Sequence, residues 1–297
     1  MSVSVAPLAG AASGPLAAGL PLSLDALLAL TACAAYLAAT LRGGSSRLPA
    51  IALVVGWALQ GAALVVDVSG MGSALGARFG FAPALSGAVW LVLAVHAVES
   101  RFVPLPGVRR ALAAMGVVVS ALLAFFPGEI PLRAASPLVP LHLMLGIASY
   151  GLFGAAVIHA VMLDSAERAL RRPGGLAGSP SGLPKAPAGA LFGLPLLRLE
   201  RLTFRFVEAG FVVLSVAIGL GALASAMGHV AWRWDHKTVF SLLGWATFAL
   251  LISGRHLRGW RGRRATRWIY GGAGLLVLAY IGSRFVAEVM LGRTMGG

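Results

Sequence analysis

The sequence predicts an all-α polytopic membrane protein with about eight transmembrane helices and both termini outside. Three observations carry this reading. Of the 297 residues, 58% are hydrophobic and only 11% charged, where a soluble domain carries about 25% charged residues, so the polar groups are too few to coat one large soluble core. Apolar runs near the roughly 20 residues needed to cross a bilayer recur along the chain, in keeping with a mean hydropathy of +0.86. Arginine and lysine gather in alternate loops, as topology signals do.

The expected spans are 22–41, 48–66, 82–100, 110–126, 137–163, 204–226, 237–254 and 267–290. Each is an apolar stretch ended by charge, Pro or Gly, with glycines inside, which close helix packing in lipid tolerates. Arg42 and Arg47 follow the first span; Arg101, Arg109 and Arg110 follow the third. Arg168, Arg171, Arg172, Lys185, Arg198, Arg201 and Arg205 follow the fifth, and Arg255, Arg258, Arg261, Arg263, Arg264 and Arg267 the seventh. The other loops hold only Arg78, Arg133, Arg233 and Lys237, with Arg293 in the tail. The positive-inside rule then puts both termini outside, as an even span count requires.

Two membrane regions are expected: a four-helix region over 1–136 and a second over 137–297, with a cytoplasmic linker at 165–203 rich in Gly, Pro, Ser and Ala. The N-terminus has no Lys or Arg before its apolar run and reads as a short translocated tail rather than a secretory signal. The net charge of +14 lies between spans and forms no basic patch with interleaved aromatics, so nucleic acid is not an expected partner. The lone Cys33 allows no intramolecular disulfide, and no Cys-x-x-Cys motif for redox work or covalent haem attachment occurs. No nucleophile–base pair, metalloprotease motif or nucleotide loop points to an enzyme.

The most informative stretch is GHVAWRWDHKTVFSLLGWATF, residues 228–248. His229, Trp232, Arg233, Trp234, Asp235, His236 and Lys237 crowd the loop before the seventh span. An interfacial aromatic belt accounts for one Trp or two, but less well for a carboxylate, a lysine and two histidines beside them. A flat apolar macrocycle with propionates suits such a patch, since indoles stack on its face while Lys237 and Arg233 meet carboxylates. Both readings stand on the residues alone.

The run W-R-W-D-H-K-T resembles the tryptophan-rich WWD segment of the cytochrome c assembly, or haem-handling, membrane proteins of the CcsA/CcmC/ResC type. The likeness continues in PLHLMLGIASYGLFGAAVIHAVMLDSAERAL (140–170), in LERLTFRFVEAGFVVLSVAIGLGAL and in RWIYGGAGLLVLAYIGSRFVAEVML, over roughly 138–293. It implies that the WWD-like loop presents non-covalent, b-type haem at the outer face. It also implies that His142 is the first outer haem-ligating histidine and that His256 belongs to an internal haem site near the inner face. For each, a solvated helix-end histidine is the alternative. His96 and His159, inside spans, read more readily as helix–helix hydrogen-bonding groups than as ligands. Glu99, Asp164 and Glu288 read as solvated at the membrane boundary.

Departures from the family pattern bear on function. Where the WWD segment continues Asp-Pro-Lys-Glu, this chain has His236 for Pro and Thr238 for Glu, and no histidine follows His256. An outer bis-histidine site of the usual build is therefore excluded, leaving His229 or His236 as conceivable substitutes. The shortened pattern is similar to the HemX/YpjD-like branch. The expectation is a non-enzymatic, haem-binding protein of the bacterial inner (plasma) membrane that assists cytochrome c assembly. Its expected partners are haem, other assembly proteins or apocytochrome c, and the bilayer. The alternatives are a HemX-like regulator of haem biosynthesis and, behind it, a small-molecule transporter, for which the spans hold few midplane polar residues.

Overall fold

The computed structural model describes residues 23–41, 47–69, 80–100, 106–126, 138–170, 196–228 and 234–279. Among them all regular structure is helical, in the order α1 (Leu24–Thr40), α2 (Leu48–Ser69), α3 (Phe81–Ser100), α4 (Pro106–Phe125), α5 (Leu138–Leu170), α6 (Leu196–Ala226), α7 (His236–Arg258) and α8 (Gly262–Val277). Six of these, α2 to α7, contain stretches long and apolar enough to cross a membrane, and α1 is a shorter apolar helix. The chain is thus a polytopic, all-helical membrane protein. Many large apolar side chains point outward, among them Leu37, Val54, Met144, Val212 and Leu250, as a lipid-facing surface requires.

Helix ends differ from expectation in one consistent way. α5 and α6 run beyond the apolar stretches, through Leu170 and from Leu196, and α8 begins at Gly262 rather than near 267. Hydropathy falls there because Asp, Glu and Arg enter, yet Ala, Leu, Glu and Arg are strong helix formers, so the helix outlasts the apolar run. Residues 171–195, the middle of the predicted linker, and the last expected boundary residue, Glu288, lie outside the described residues.

Two apolar cores meet along α5. The first joins Tyr36 of α1, Val89, Val92 and Leu93 of α3 and Leu112 of α4 to Met162 and Leu163 of α5. The second gathers Phe153 and Ala160 of α5, Phe204 and Val207 of α6, Phe248 of α7 and Ile269 of α8. Inside the first, Tyr36 donates to Gln60 Oε1 at 2.5 Å, and Gln60 Nε2 donates to the backbone and hydroxyl oxygens of Ser86 at 3.0 and 2.9 Å. Trp57 and Trp90 stack at 4.7 Å, and each indole donates to the other's carbonyl. These cross-helix bonds satisfy polar groups that lipid would leave bare.

Glycine sets the helix spacing where aromatic rings cross. A Cβ at Gly56 or Gly116 would come within 2.9 Å of the Tyr36 ring, so α1, α2 and α4 meet around that ring. Between α3 and α5 the neighbours advance together, Gly87 with Ile147, Leu91 with Gly151 and Val92 with Gly154. The numbers rise together, so α3 and α5 are parallel.

Candidate functional site

α5, α6 and α7 fix where the sequence-selected residues stand. His142 against Ala217, Gly210 against Phe153 and His159 against Phe206 make α5 and α6 antiparallel. Trp245 against Ser215 and Arg255 against Phe204 make α6 and α7 antiparallel. α7 is therefore parallel to α5, and Phe153 stacks on Phe248 at 3.9 Å. At 1.5 Å per residue, His142 stands about 16 Å before Phe153 along α5, and His236 about 18 Å before Phe248 along α7. His142 and the start of α7 thus lie at one end of the bundle and at nearly one depth.

His142 is half-buried, with Nδ1 2.7 Å from the backbone carbonyl of Ala217. A carbonyl only accepts, so Nδ1 carries the proton and Nε2 keeps a lone pair. Gly221 makes room for the ring, since a Cβ there would sit 3.0 Å from Cε1 of His142. Such an imidazole, with one nitrogen held by a backbone carbonyl, can offer the other to a metal or a hydrogen-bond donor.

At the head of α7, Asp235 is the N-cap residue, and its Oδ1 accepts from the amide and hydroxyl of Thr238 at 3.0 and 3.1 Å. Burial alone would raise its carboxyl, but these bonds, with Lys237 and His236 close by, hold it below the usual carboxylate range. The Asp235 carboxylate is thereby engaged in starting the helix. Trp234, just before it, is 73% exposed, His236 is exposed and Lys237 half-buried. His229, Trp232 and Arg233 lie outside the described residues.

His256 is exposed at the far end of α7, about 12 Å beyond Phe248 and so about 28 Å from His142 along the bundle. One iron cannot join the two. Around His256 the end is basic: Glu200 lies 3.9 Å from Arg255 and 3.4 Å from Arg261. Arg255 sits 3.4 Å over the Phe204 ring and Arg264 4.2 Å over that of Trp260. Among the described residues no group of three or more His, Cys, Asp or Glu is disposed to hold a metal ion, although a haem iron asks for only one or two protein ligands.

Two carboxylates expected to be simply solvated are half-buried and engage a neighbouring helix. Asp164 accepts from Thr266 Oγ1 at 3.0 Å and Tyr270 at 2.9 Å, tying α5 to α8, and Glu99 lies 3.2 Å from the buried His159, tying α3 to α5. Near a membrane boundary the neighbouring helix replaces water as the partner. Sequence reading passed over Ala217 and Gly221, whose signal is a pair of small residues one turn apart in AIGLGAL. It also missed the capping role of Asp235, visible as Asp followed by Thr three residues on.

The chain is 28% identical over 248 residues to "Cytochrome c biogenesis protein CcsA" of Gloeobacter violaceus, covering 67% of this chain and 72% of that protein. It is 28% identical over 214 residues to the protein of the same name from a Synechococcus strain, covering 65% and 69%. Against "Inner membrane protein YpjD" of Escherichia coli K12 it is 28% identical over 180 residues, covering 60% of this chain and 63% of that one. No solved structure matches it. The family model described as "Cytochrome C assembly protein" matches residues 24–291. That range takes in α1 to α4, where the sequence had offered only hydropathy, as well as the stretch that carried the resemblance. A match over nearly the whole chain places this polytopic membrane protein in the cytochrome c assembly protein family.

Proposed function

We propose that this protein binds haem at the end of the bundle opposite its arginines and assists cytochrome c assembly there. His142 would ligate the iron, and Trp232 and Trp234 would form the stacking platform. The observation that carries the reading is the His142 imidazole, whose Nδ1 is engaged by the Ala217 carbonyl so that Nε2 keeps its lone pair. The residue types fit the group: a partly buried imidazole, an exposed indole at the same depth and Lys237 for a propionate. When bound, haem supplies the vinyl groups that thioether attachment needs and the iron that must be reduced. His142 would hold the iron, the indoles would stack on the macrocycle, Arg233 and Lys237 would meet its carboxylates, and Asp235 starts α7 beside them. Presenting one reactant in a fixed geometry is a sufficient role, so no enzymatic step is assigned.

His229 or His236, the histidines of the same loop in the sequence, would supply any second iron ligand, and His256 would serve a separate haem contact at the basic end. The partners are then haem, an apocytochrome c or another assembly protein, and the bilayer of a bacterial inner membrane. The relatives, a cytochrome c biogenesis protein and an inner membrane protein by name, support this reading.

An absorption spectrum of the purified protein, as isolated and after dithionite, tests it. We expect a Soret band and sharp reduced bands that weaken in His142→Ala and recover in part with imidazole. We also expect loss of haem, with insertion intact, when Trp232 and Trp234 are both made Ala. A flat spectrum that added haem leaves unchanged would refute the proposal. One observation favours a second reading, a HemX-like regulator of haem biosynthesis: residues 257–297 hold no histidine where the resemblance leads one to expect the second outer ligand. In that case deleting 175–188 spares haem binding and abolishes the regulatory effect.

A further inference from the structure

We infer that His159 and Glu99 hold one proton between them inside the bundle, in a site where His96 is the second base. His159 is only 4% exposed, and its Nδ1 lies 2.8 Å from the carbonyl of Ala155. That carbonyl can only accept, so Nδ1 bears a hydrogen, and in a neutral imidazole Nε2 is a bare lone pair. Yet Nε2 faces Glu99 Oε2 at 3.2 Å. A bare nitrogen and a carboxylate oxygen repel at this distance, and an apolar surrounding strengthens the repulsion. A proton on either atom removes it; Nε2 has no aligned hydrogen-bond partner as placed, so a small turn of the side chains brings that proton between them. On nitrogen it makes an imidazolium–carboxylate pair; on oxygen it makes a neutral acid donating to the imidazole. Both forms have the same proton count and no net charge, which is what a membrane interior favours.

The surroundings leave few other charges to consider. α3 contributes His96, which is 7% exposed and stands one turn before Glu99. α4 contributes Val108 and Leu112; Arg109 and Arg110 of that helix do not line the cavity. α5 adds Ala155, Ile158 and Met162 beside His159, and α6 sets the uncharged Phe206 ring 5.2 Å from the His159 ring. His96, Glu99 and His159 line one cavity with room for about a single water. Glu99 Oε1 is buried with no hydrogen-bond partner, so an acceptor is present for a water or for His96 to address. The pair continues the α3–α5 register of Gly87–Ile147 and Leu91–Gly151, about two turns beyond the latter. Release of the proton leaves a bare negative charge at the seam joining the first four helices to α5.

The full chain, labelled with 15N-histidine and studied in detergent, tests this at one to two pH units above the ordinary histidine value of about 6.5. One outcome is expected of two equivalent readouts. Either both His159 nitrogens are protonated, or infrared spectra show a protonated carboxyl that shifts in heavy water and belongs to Glu99. Glu99→Gln should leave His159 singly protonated at that pH, and His96→Gln should shift the titration of the shared proton severalfold in concentration. A singly protonated His159 together with an ionised Glu99 in the wild type overturns the inference, and that spectrum decides even if a variant fails to accumulate. An unchanged titration in His96→Gln removes the role given to His96.

Discussion

His142 on α5 donates from Nδ1 to the backbone carbonyl of Ala217 on α6, so main chain rather than another side chain orients this imidazole. No substitution at Ala217 deletes a carbonyl. The ring is therefore best disturbed through Gly221, where any Cβ meets Cε1 at 3.0 Å.

Gly221→Leu should displace the imidazole and lower haem content about as much as His142→Ala, although His142 is present. The two should differ in rescue. Imidazole restores part of the Soret band in His142→Ala, where it fills the vacated space, and little in Gly221→Leu, where leucine occupies it. Full haem occupancy in Gly221→Leu, read from the reduced spectrum, would show that the ring position does not matter.

Asp235 gives a prediction with a pH sign. Its carboxyl is held below the usual value of about 4 by Thr238. Its stabilising effect is therefore complete above that value and is lost as pH falls through the lower, folded one. Asp235→Ala should cost about 1 kcal/mol, the usual worth of an N-cap, at neutral pH. Asp235→Asn should keep most of the cap and remove the acid dependence. Thermal unfolding of the three proteins from neutral pH to below 4 checks this, and identical acid sensitivity in all three would exclude Asp235 as its source.

How far the sequence speaks can be judged at these same residues. The apolar runs made the membrane fold legible, because hydropathy reports directly on lipid-facing surface such as Leu37 and Val212. His142, Trp234 and Asp235 were legible as a group through a motif, but the motif does not announce that Asp235 Oδ1 also caps α7 through Thr238. The Ala217 carbonyl was out of reach in principle, since a backbone oxygen 75 residues away has no side chain to announce it. Glu99 was misjudged for a related reason. Its position at the end of α3 suggested water, and only the parallel register with α5 brings His159 to it.

The buried bond from Tyr36 to Gln60 carries a stability prediction for the first four helices. Tyr36→Phe leaves Gln60 Oε1 without that donor and should cost roughly 1 kcal/mol, the scale of cross-helix hydrogen bonds in membranes. Gly116→Leu should cost more, because its side chain would enter the space of the Tyr36 ring, 2.8 Å from a Cβ. Thermal denaturation in detergent should rank wild type above Tyr36→Phe and Tyr36→Phe above Gly116→Leu. A Gly116→Leu protein as stable as wild type would mean that the ring does not set the spacing of α1 and α4.

Orientation in the membrane follows from joining charge to geometry. Arg255, Arg261 and Arg264 share one end of the bundle with Glu200 and His256, and His142 shares the other with Trp234 and Asp235. The positive-inside rule assigns the arginine end to the cytoplasm, so Trp234 and His142 are expected to face outward, the side that the proposed haem site requires. A reporter fused after Arg264 should read cytoplasmic, and one inserted within 228–236 extracytoplasmic. Because α5 and α7 are parallel, a third reporter just before His142 must agree with the second. Agreement between those two with both reading cytoplasmic would invert the protein and put the proposed haem platform on the wrong face.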